Sequence, residues 1–440
     1  MMRRSSLRRF MRQVRLCSSK AGERGERSYK LLVVGGGSGG IATAAKFASK
    51  LGKGKVGVLE PHDTHCYQPL WTLVGGGIKQ VSSSFKPMSE VMPSQADWIK
   101  DSAETFAPQE NTVVTKHGLK IKYDFLVVAM GIQVRFDMIE GLMEALETPY
   151  VCSNYSYNTV TKTYQAMRAL KEGNAIFTYP ATPIKCPGAA QKIMYLTDAY
   201  LRKEGRRDKV DIIFNSSMGV IFGVRKYADA LWDVVKGRGI TVNLKHELVQ
   251  VLPNRREAVF RLLDSTDNPK ETVKFKYNML HVVPPMTPSS VLKTAPSFTD
   301  SAGYLDVDGE TLQHKRYRNV FGIGDCTNVP TSKTAAAVAG ELGILRKNLI
   351  NVMEGKTPTK KYNGYTSCPL VTSYDKCILA EFDSKAEPLE TFPFNQAKER
   401  TSMFYMKRDM LPFIYWNLFL KGYWEGPGIF RKAMRLGFSK

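Results

Sequence analysis

The stretch that most constrains this chain is Lys30-Leu31-Leu32-Val33-Val34 running into Gly35-Gly36-Gly37-Ser38-Gly39-Gly40. An apolar run without alternation reads as a parallel strand buried on both faces. Ile41-Ala42-Thr43-Ala44-Ala45-Lys46-Phe47-Ala48 then reads as a helix. Gly35, Gly37 and Gly40 stand at the G-x-G-x-x-G spacing between them, where missing side chains let backbone N–H groups approach a pyrophosphate. Without flanking strand and helix, a flexible loop would be the fairer reading. Lys55-Val56-Gly57-Val58-Leu59 forms a second strand, closed by Glu60 at the place where an acid bonds a ribose hydroxyl.

Two later segments bear on which dinucleotide is held. Tyr123-Asp124-Phe125-Leu126-Val127-Val128-Ala129-Met130-Gly131 and Asn319-Val320-Phe321-Gly322-Ile323-Gly324-Asp325 resemble the second and third motifs of the flavoproteins with two dinucleotide-binding domains. The resemblance implies FAD, with Asp325 bonding the ribityl chain and the helix from Thr334-Ala335 pointing its N-terminus at the flavin. Such proteins carry a second Rossmann unit for NAD(P)H. Its first strand here is Val210-Asp211-Ile212-Ile213-Phe214, but Asn215-Ser216-Ser217-Met218-Gly219 follows in place of a glycine fingerprint. Side chains at Asn215 and Ser217 would stand where a pyrophosphate must touch backbone, so a donor other than NAD(P)H is expected.

The 440 residues exceed what one core usually supports, and neither a repeat nor a low-complexity tract appears. Seven cysteines occur at no metal-ligand spacing, and His62 and His65 lack a third ligand, so no metal site is expected. Cys186-Pro187 opens a predicted helix. Proline suits the first helical position, which makes Cys186 the cap, its sulfur facing the positive helix end near Lys185 and Lys192. The competing reading is a buried structural cysteine. Cys368-Pro369 is the second such pair; a residue before proline is pushed to an extended conformation, which suggests a defined loop. Cys66 competes as a third redox thiol, Cys326 as a packing residue, and Cys17 leaves with the N-terminal segment.

Taken together, Gly35 to Gly40, Tyr67-Gln68-Pro69-Leu70-Trp71-Thr72-Leu73-Val74-Gly75, Cys186-Pro187, Gly322 to Lys333 and Cys368-Pro369 make the chain similar to sulfide:quinone oxidoreductases of the mitochondrial type. The resemblance implies that Cys186 and Cys368 flank the flavin as the redox pair. Residues implied around FAD are Gly35, Gly37, Ser38, Gly39, Gly40, Glu60, Gln68, Ala103, Gly131, Lys192, Asp325, Lys333, Thr334 and Ala335. It further implies that hydrogen sulfide opens a Cys186/Cys368 bridge to a persulfide and a thiolate, the latter assigned to Cys186. Electrons then pass through FAD to ubiquinone, and the sulfane sulfur to an acceptor such as glutathione or sulfite.

Residues 1–27 hold seven basic residues before the first acid, several serines and apolar positions at helical spacing, as in a mitochondrial presequence. Of the formal net charge of +22, +15 remains outside that segment. No aromatic-interleaved basic module points to nucleic acid, which leaves anionic lipid or steering of an anionic substrate. From Thr401 aromatic and basic residues alternate, with an apolar stretch too short to span a bilayer. That pattern suits helices lying at the inner-membrane surface, with Phe404, Tyr405, Phe413 and Trp416 lining a quinone entrance. A domain-docking segment or a dimer contact is the competing reading. The expected architecture is α/β, with two Rossmann-like dinucleotide-binding domains and a C-terminal membrane-surface helical segment. The FAD domain covers 28–150 and 300–385, the second domain 151–299 is inserted in it, and the C-terminal segment covers 386–440. Rival readings are an NADH:quinone reductase and an inactive flavin-binding membrane-surface protein.

Overall fold

A computed structural model describes residues 25–266 and 268–437. The presequence reading and Cys17 lie outside the described residues, except that the first strand starts inside the segment set aside as a leader. β1 spans Glu26–Val34 because Glu26 to Tyr29 continue the parallel ladder alongside residues 120–123. α1 (Ser38–Leu51) and β2 (Val56–Leu59) complete the first β-α-β unit. Leu31, Leu32 and Val33 are wholly buried, as an uninterrupted apolar run between two helical layers requires. β3 (Thr64–Cys66), β4 (Asp97–Ile99), β5 (Ala103–Ala107), β6 (Thr112–Thr115) and β7 (Lys120–Val128) come next.

The chain then leaves by β8 (Gln133–Val134) and builds a second sheet from β9 (Val151–Cys152), β10 (Gly173–Tyr179), β11 (Val210–Ser216), β12 (Thr241–Leu244) and β13 (Met279–His281). Its order is β9-β13-β10-β11-β12, and every pairing in it is parallel. α2 (Ala189–Lys203) connects β10 to β11. The return strand β14 (Met286–Thr287) pairs antiparallel with β8, so both crossings between the sheets form one short ribbon.

β15 (Val320–Gly322) re-enters the first sheet beside β7, giving the order β4-β2-β1-β7-β6-β5 with β15 on the second half of β7. α3 (Ala335–Met353) comes after it, then an antiparallel hairpin of β16 (Thr366–Val371) and β17 (Cys377–Phe382). The C-terminus is helical from Thr401 to Phe419: α4 (Thr401–Tyr405), a wide i→i+5 turn at Met406–Met410, α5 (Leu411–Ile414) and a second wide turn at Tyr415–Phe419. α6 (Gly428–Met434) ends it. No helix among the described residues is long and apolar enough to cross a membrane. The two-Rossmann α/β architecture is the one the sequence leads us to expect.

Candidate active site

The glycine turn stands between the C-terminal ends of β1 and β7. Gly35 has φ +104, and a Cβ there would meet the Ala129 carbonyl oxygen at 2.4 Å. A Cβ on Gly40 would fall 1.8 Å from the Gly35 carbonyl oxygen. Only glycine lets α1 start this close to the strand. α1 has no side-chain cap, so its first N–H groups remain available to an anion. Glu60 ends β2 and accepts the Gly36 N–H at 2.7 Å, its other oxygen accepting from His62 at 2.8 Å. Gly131, at φ +68, stands just past β7 on the same side of the sheet. Gln68 is exposed in the turn after β3, and Ala103 opens β5.

The third motif meets this turn from across the sheet. A Cβ on Gly39 would touch Ile323 at 3.0 Å and Val338 at 3.2 Å, which brings the N-termini of α1 and α3 together. Thr334 caps α3 by accepting the Ala337 N–H at 3.0 Å. Lys333 Nζ donates to the Asp325 and Thr327 backbone carbonyls at 2.8 and 3.0 Å. The Asp325 carboxylate itself has no hydrogen-bond donor among the described residues. Burial raises its pKa, as for a carboxylate held where a hydroxyl-rich ligand would supply the missing donors. These residues fit FAD: an uncapped helix end, a cradle that tolerates no Cβ, an acid closing β2, and an under-bonded acid beside α3.

The cap of α3 also gathers both Cys-Pro segments. The Cys186 N–H donates to the Lys333 carbonyl at 2.7 Å, and the Thr334 and Thr366 hydroxyls share a 2.7 Å hydrogen bond two residues before Cys368. The two thiols come together there: a Cβ on Gly188, two residues past Cys186, would fall 2.4 Å from the Cys368 sulfur, and each thiol is the largest influence on the other's pKa. Two local expectations are corrected. α2 begins at Ala189 with Gly188 as its cap, so Cys186 is not the cap. Instead Cys186 has φ +49 and closes a tight turn, its carbonyl accepting from Ala189 N–H at 2.8 Å. Pro187-Gly188 spends the expected first helical turn on that reversal, and a Cβ at Gly188 would lie 2.4 Å from the Cys368 sulfur. Cys368 lies in β16 and not in a loop, because the extended conformation set by Pro369 suits a strand and pairs it with Ala380.

The electrostatics separate the two sulfurs. The pKa of Cys186 is held well below the ordinary thiol range, first by the Cys368 thiol donating to it, then by the Lys192 and Lys407 ammonium groups against the cost of burial. Cys368, 3 % exposed, is pushed the other way by the same hydrogen bond and by burial. The pair is thus polarised, with negative charge favoured at Cys186 and the proton at Cys368. Lys192 Nζ stands 3.6 Å from the Cys186 sulfur; burial opposes its charge, but the sulfurs of Cys186, Cys368 and Cys377 together outweigh burial and raise its pKa. Lys407, 3 % exposed, donates to the Pro69 carbonyl at 2.8 Å, and burial with the Lys192 charge lowers it to about 8. Lys185 is lowered to about 8 by burial and lies 5.2 Å from the Trp71 ring centroid.

Lys407 has no signal in the sequence, where Lys407-Arg408 reads as a basic surface of the C-terminal segment. Tyr415 and His65 were likewise missed: Tyr415 stacks on Tyr67 with centroids 4.1 Å apart and bonds His65 Nε2 at 2.7 Å. Of the residues read as an entrance lining, Phe404 is buried in the core, Trp416 is half-buried, and Tyr405 and Phe413 are exposed. Cys66 lies half-buried in β3 with its pKa raised by burial, the opposite of a reactive thiol. Cys326 is fully buried, its thiol directed at the Val128 and Ile323 carbonyls.

Over residues 29–174 the chain matches the pyridine nucleotide-disulphide oxidoreductase family. It is 54% identical over 411 residues to the mitochondrial sulfide:quinone oxidoreductase of Mus musculus, covering 93% of this chain and 90% of the relative. The chain belongs to the mitochondrial sulfide:quinone oxidoreductase family. The Dictyostelium discoideum member is 47% identical over 399 residues, covering 90% of this chain and 87% of its own. The sulfide:quinone oxidoreductase structure from Aquifex aeolicus shares the fold with a TM-score of 0.77 at 20% identity, over 94% of this chain and 95% of that one. As members of a flavoprotein family, such chains bind FAD.

Proposed function

We infer that this chain is a mitochondrial enzyme that oxidises hydrogen sulfide at Cys186 and Cys368 and passes two electrons to a quinone. The observation that carries the reading is the sulfur pair itself, brought together beside the α3 cap with the Lys192 ammonium 3.6 Å from the Cys186 sulfur. In the oxidised pair, hydrosulfide attacks the Cys368 sulfur and the S–S bond breaks. Cys186 departs as the thiolate, because the sulfur of lower pKa is the better leaving group. Cys368 is left as a persulfide. A nucleophilic acceptor of the thiol or sulfite class then takes the outer sulfur and leaves two reduced cysteines. Gly35 to Gly40, Glu60, Asp325 and the α3 N-terminus hold FAD, which when bound supplies the two-electron path from the cysteines to the quinone, which takes up two protons.

The quinone is insoluble in water, so its site must open toward lipid. Phe413, Tyr423, Ile429, Phe430 and Leu436 are exposed on the C-terminal segment, with Lys421 and Lys432 beside them. Apolar side chains set among cations support attachment to an anionic membrane surface. Nothing comparable supports a nicotinamide donor: β11 runs on through Asn215 to Ser216, which corrects the strand end expected at Phe214, and the turn after it opens with a buried Ser217 in place of a glycine.

Anaerobic titration tests the reading. Hydrosulfide should bleach the flavin absorbance rapidly, and NADH should leave it unchanged on that timescale. Cys186→Ser and Cys368→Ser should each abolish sulfide-driven quinone reduction with FAD still bound. Normal turnover in either variant removes the cysteine mechanism, and rapid bleaching by NADH reverses the choice of donor.

A further inference from the structure

The C-terminal helix reaches the glycine turn through one unbroken run of hydrogen bonds. Tyr415 Oη lies 2.8 Å from Ser38 Oγ and 2.7 Å from His65 Nε2, and His65 Nδ1 lies 2.9 Å from the Gly36 carbonyl oxygen. The carbonyl can only accept, so His65 carries its proton on Nδ1. Its Nε2 then accepts from the Tyr415 hydroxyl, whose oxygen accepts from Ser38. Every donor and acceptor in the run is used once. Burial favours the neutral imidazole this requires, lowering the His65 pKa to about 4. A proton relay would need a titratable far end, and this run stops at a backbone carbonyl. Ser38 is instead gripped directly, and Gly36 through His65, by a side chain from the C-terminal helix.

We propose that Tyr415 is a latch: through Ser38 and His65 it fixes the glycine turn in the conformation that receives FAD, so that FAD binding and seating of the C-terminal helix favour one another. The link is reciprocal, because whatever the seated helix adds to FAD affinity, bound FAD returns to the seating of the helix. Flavin loading therefore also sets how firmly the exposed apolar face of residues 413–436 is held. The proposal rests on the reading that the turn binds FAD.

The test uses the full-length protein stripped of FAD and titrated back, monitored by flavin fluorescence. Tyr415→Phe keeps the ring stacked on Tyr67 and removes only the hydroxyl, and should raise the FAD Kd about tenfold. Tryptic cleavage at exposed Lys421 should be slower in the FAD-loaded wild type than in the stripped protein, and Tyr415→Phe should largely erase that difference. A general loss of stability would speed cleavage in both forms and leave the difference intact. An unchanged FAD Kd, or a protection difference that survives the substitution, overturns the latch. Should Tyr415→Phe fail to fold, Ser38→Ala carries the same two expectations. Gly37→Asp separates the underlying reading. A Cβ there meets nothing within 4 Å, so the fold tolerates it, and the added charge should expel FAD. If Gly37→Asp holds FAD normally, the turn is not the binding site; if it loses FAD and Tyr415→Phe does not weaken it, the latch alone fails.

Discussion

Reactivity at the sulfur pair is set by which cations reach which sulfur. Lys192, one turn into α2, contributes at 3.6 Å from Cys186, and replacing it with Met removes that charge without a large change of volume. The folded pKa of Cys186 is depressed, so its thiolate persists as pH falls, and losing a cation must move the titration upward. Iodoacetamide labelling of reduced protein, read by mass spectrometry across pH, should show the Cys186 midpoint rising by about one unit or more in Lys192→Met. A midpoint unchanged by the substitution would leave the depression to Cys368 and Lys407. The lysine was legible in the sequence from its place one turn past Cys186-Pro187. The φ of +49 at Cys186 was not, because Cys-Pro-Gly suits a tight reversal as well as a helix start, and only contact with Lys333 and Cys368 decides between them.

At the level of elements, the C-terminal segment has an inward and an outward side whose roles can be tested apart. Its wide turns, Met406–Met410 and Tyr415–Phe419, carry Lys407 and Tyr415 inward, while Phe413 between them faces out. Such turns add a residue to the helical ring and rotate the downstream residues about the axis, and Pro412 removes one more regular backbone donor. Lys407→Met should slow flavin reduction by sulfide about tenfold in stopped flow while leaving vesicle binding as it was. Ile429→Ser combined with Phe430→Ser should have the converse effect. Partition onto anionic vesicles should drop at least about tenfold in a flotation assay, with sulfide reduction unchanged. If both properties fall together in either variant, the tasks are not separable. Local pattern made the first strand and its glycine turn readable, since strand, turn and helix are adjacent in the chain. The inward side of the C-terminal helix was unreadable, since its partners Pro69, His65 and Ser38 lie at the other end of the sequence.

Across the whole molecule, positive charge outnumbers negative by 22, of which 15 lies outside residues 1–27. Hydrosulfide is an anion, so this field should speed encounter and leave later steps alone. Raising ionic strength from about 20 to about 300 mM should therefore lower kcat/KM for sulfide severalfold at constant kcat, because screening shortens the reach of the field. A kcat/KM indifferent to salt would leave the surplus charge to the membrane surface alone. The inserted second sheet, the ribbon of β8 with β14, and the return of β15 to the first sheet hold the two Cys-Pro segments in register, and all of them are set by topology that a linear pattern shows only in outline.

The position of Lys407 has a consequence for folding. Cys186 and Cys368 precede the helix bearing Lys407 in the chain, yet that lysine is among the groups that depress the Cys186 pKa. Until the tail has docked, the sulfur lacks one of its cations and is closer to an ordinary, sluggish thiol. The sulfur thus gains its full set of cations only once the C-terminal helix has docked, which ties its reactivity to completion of the fold.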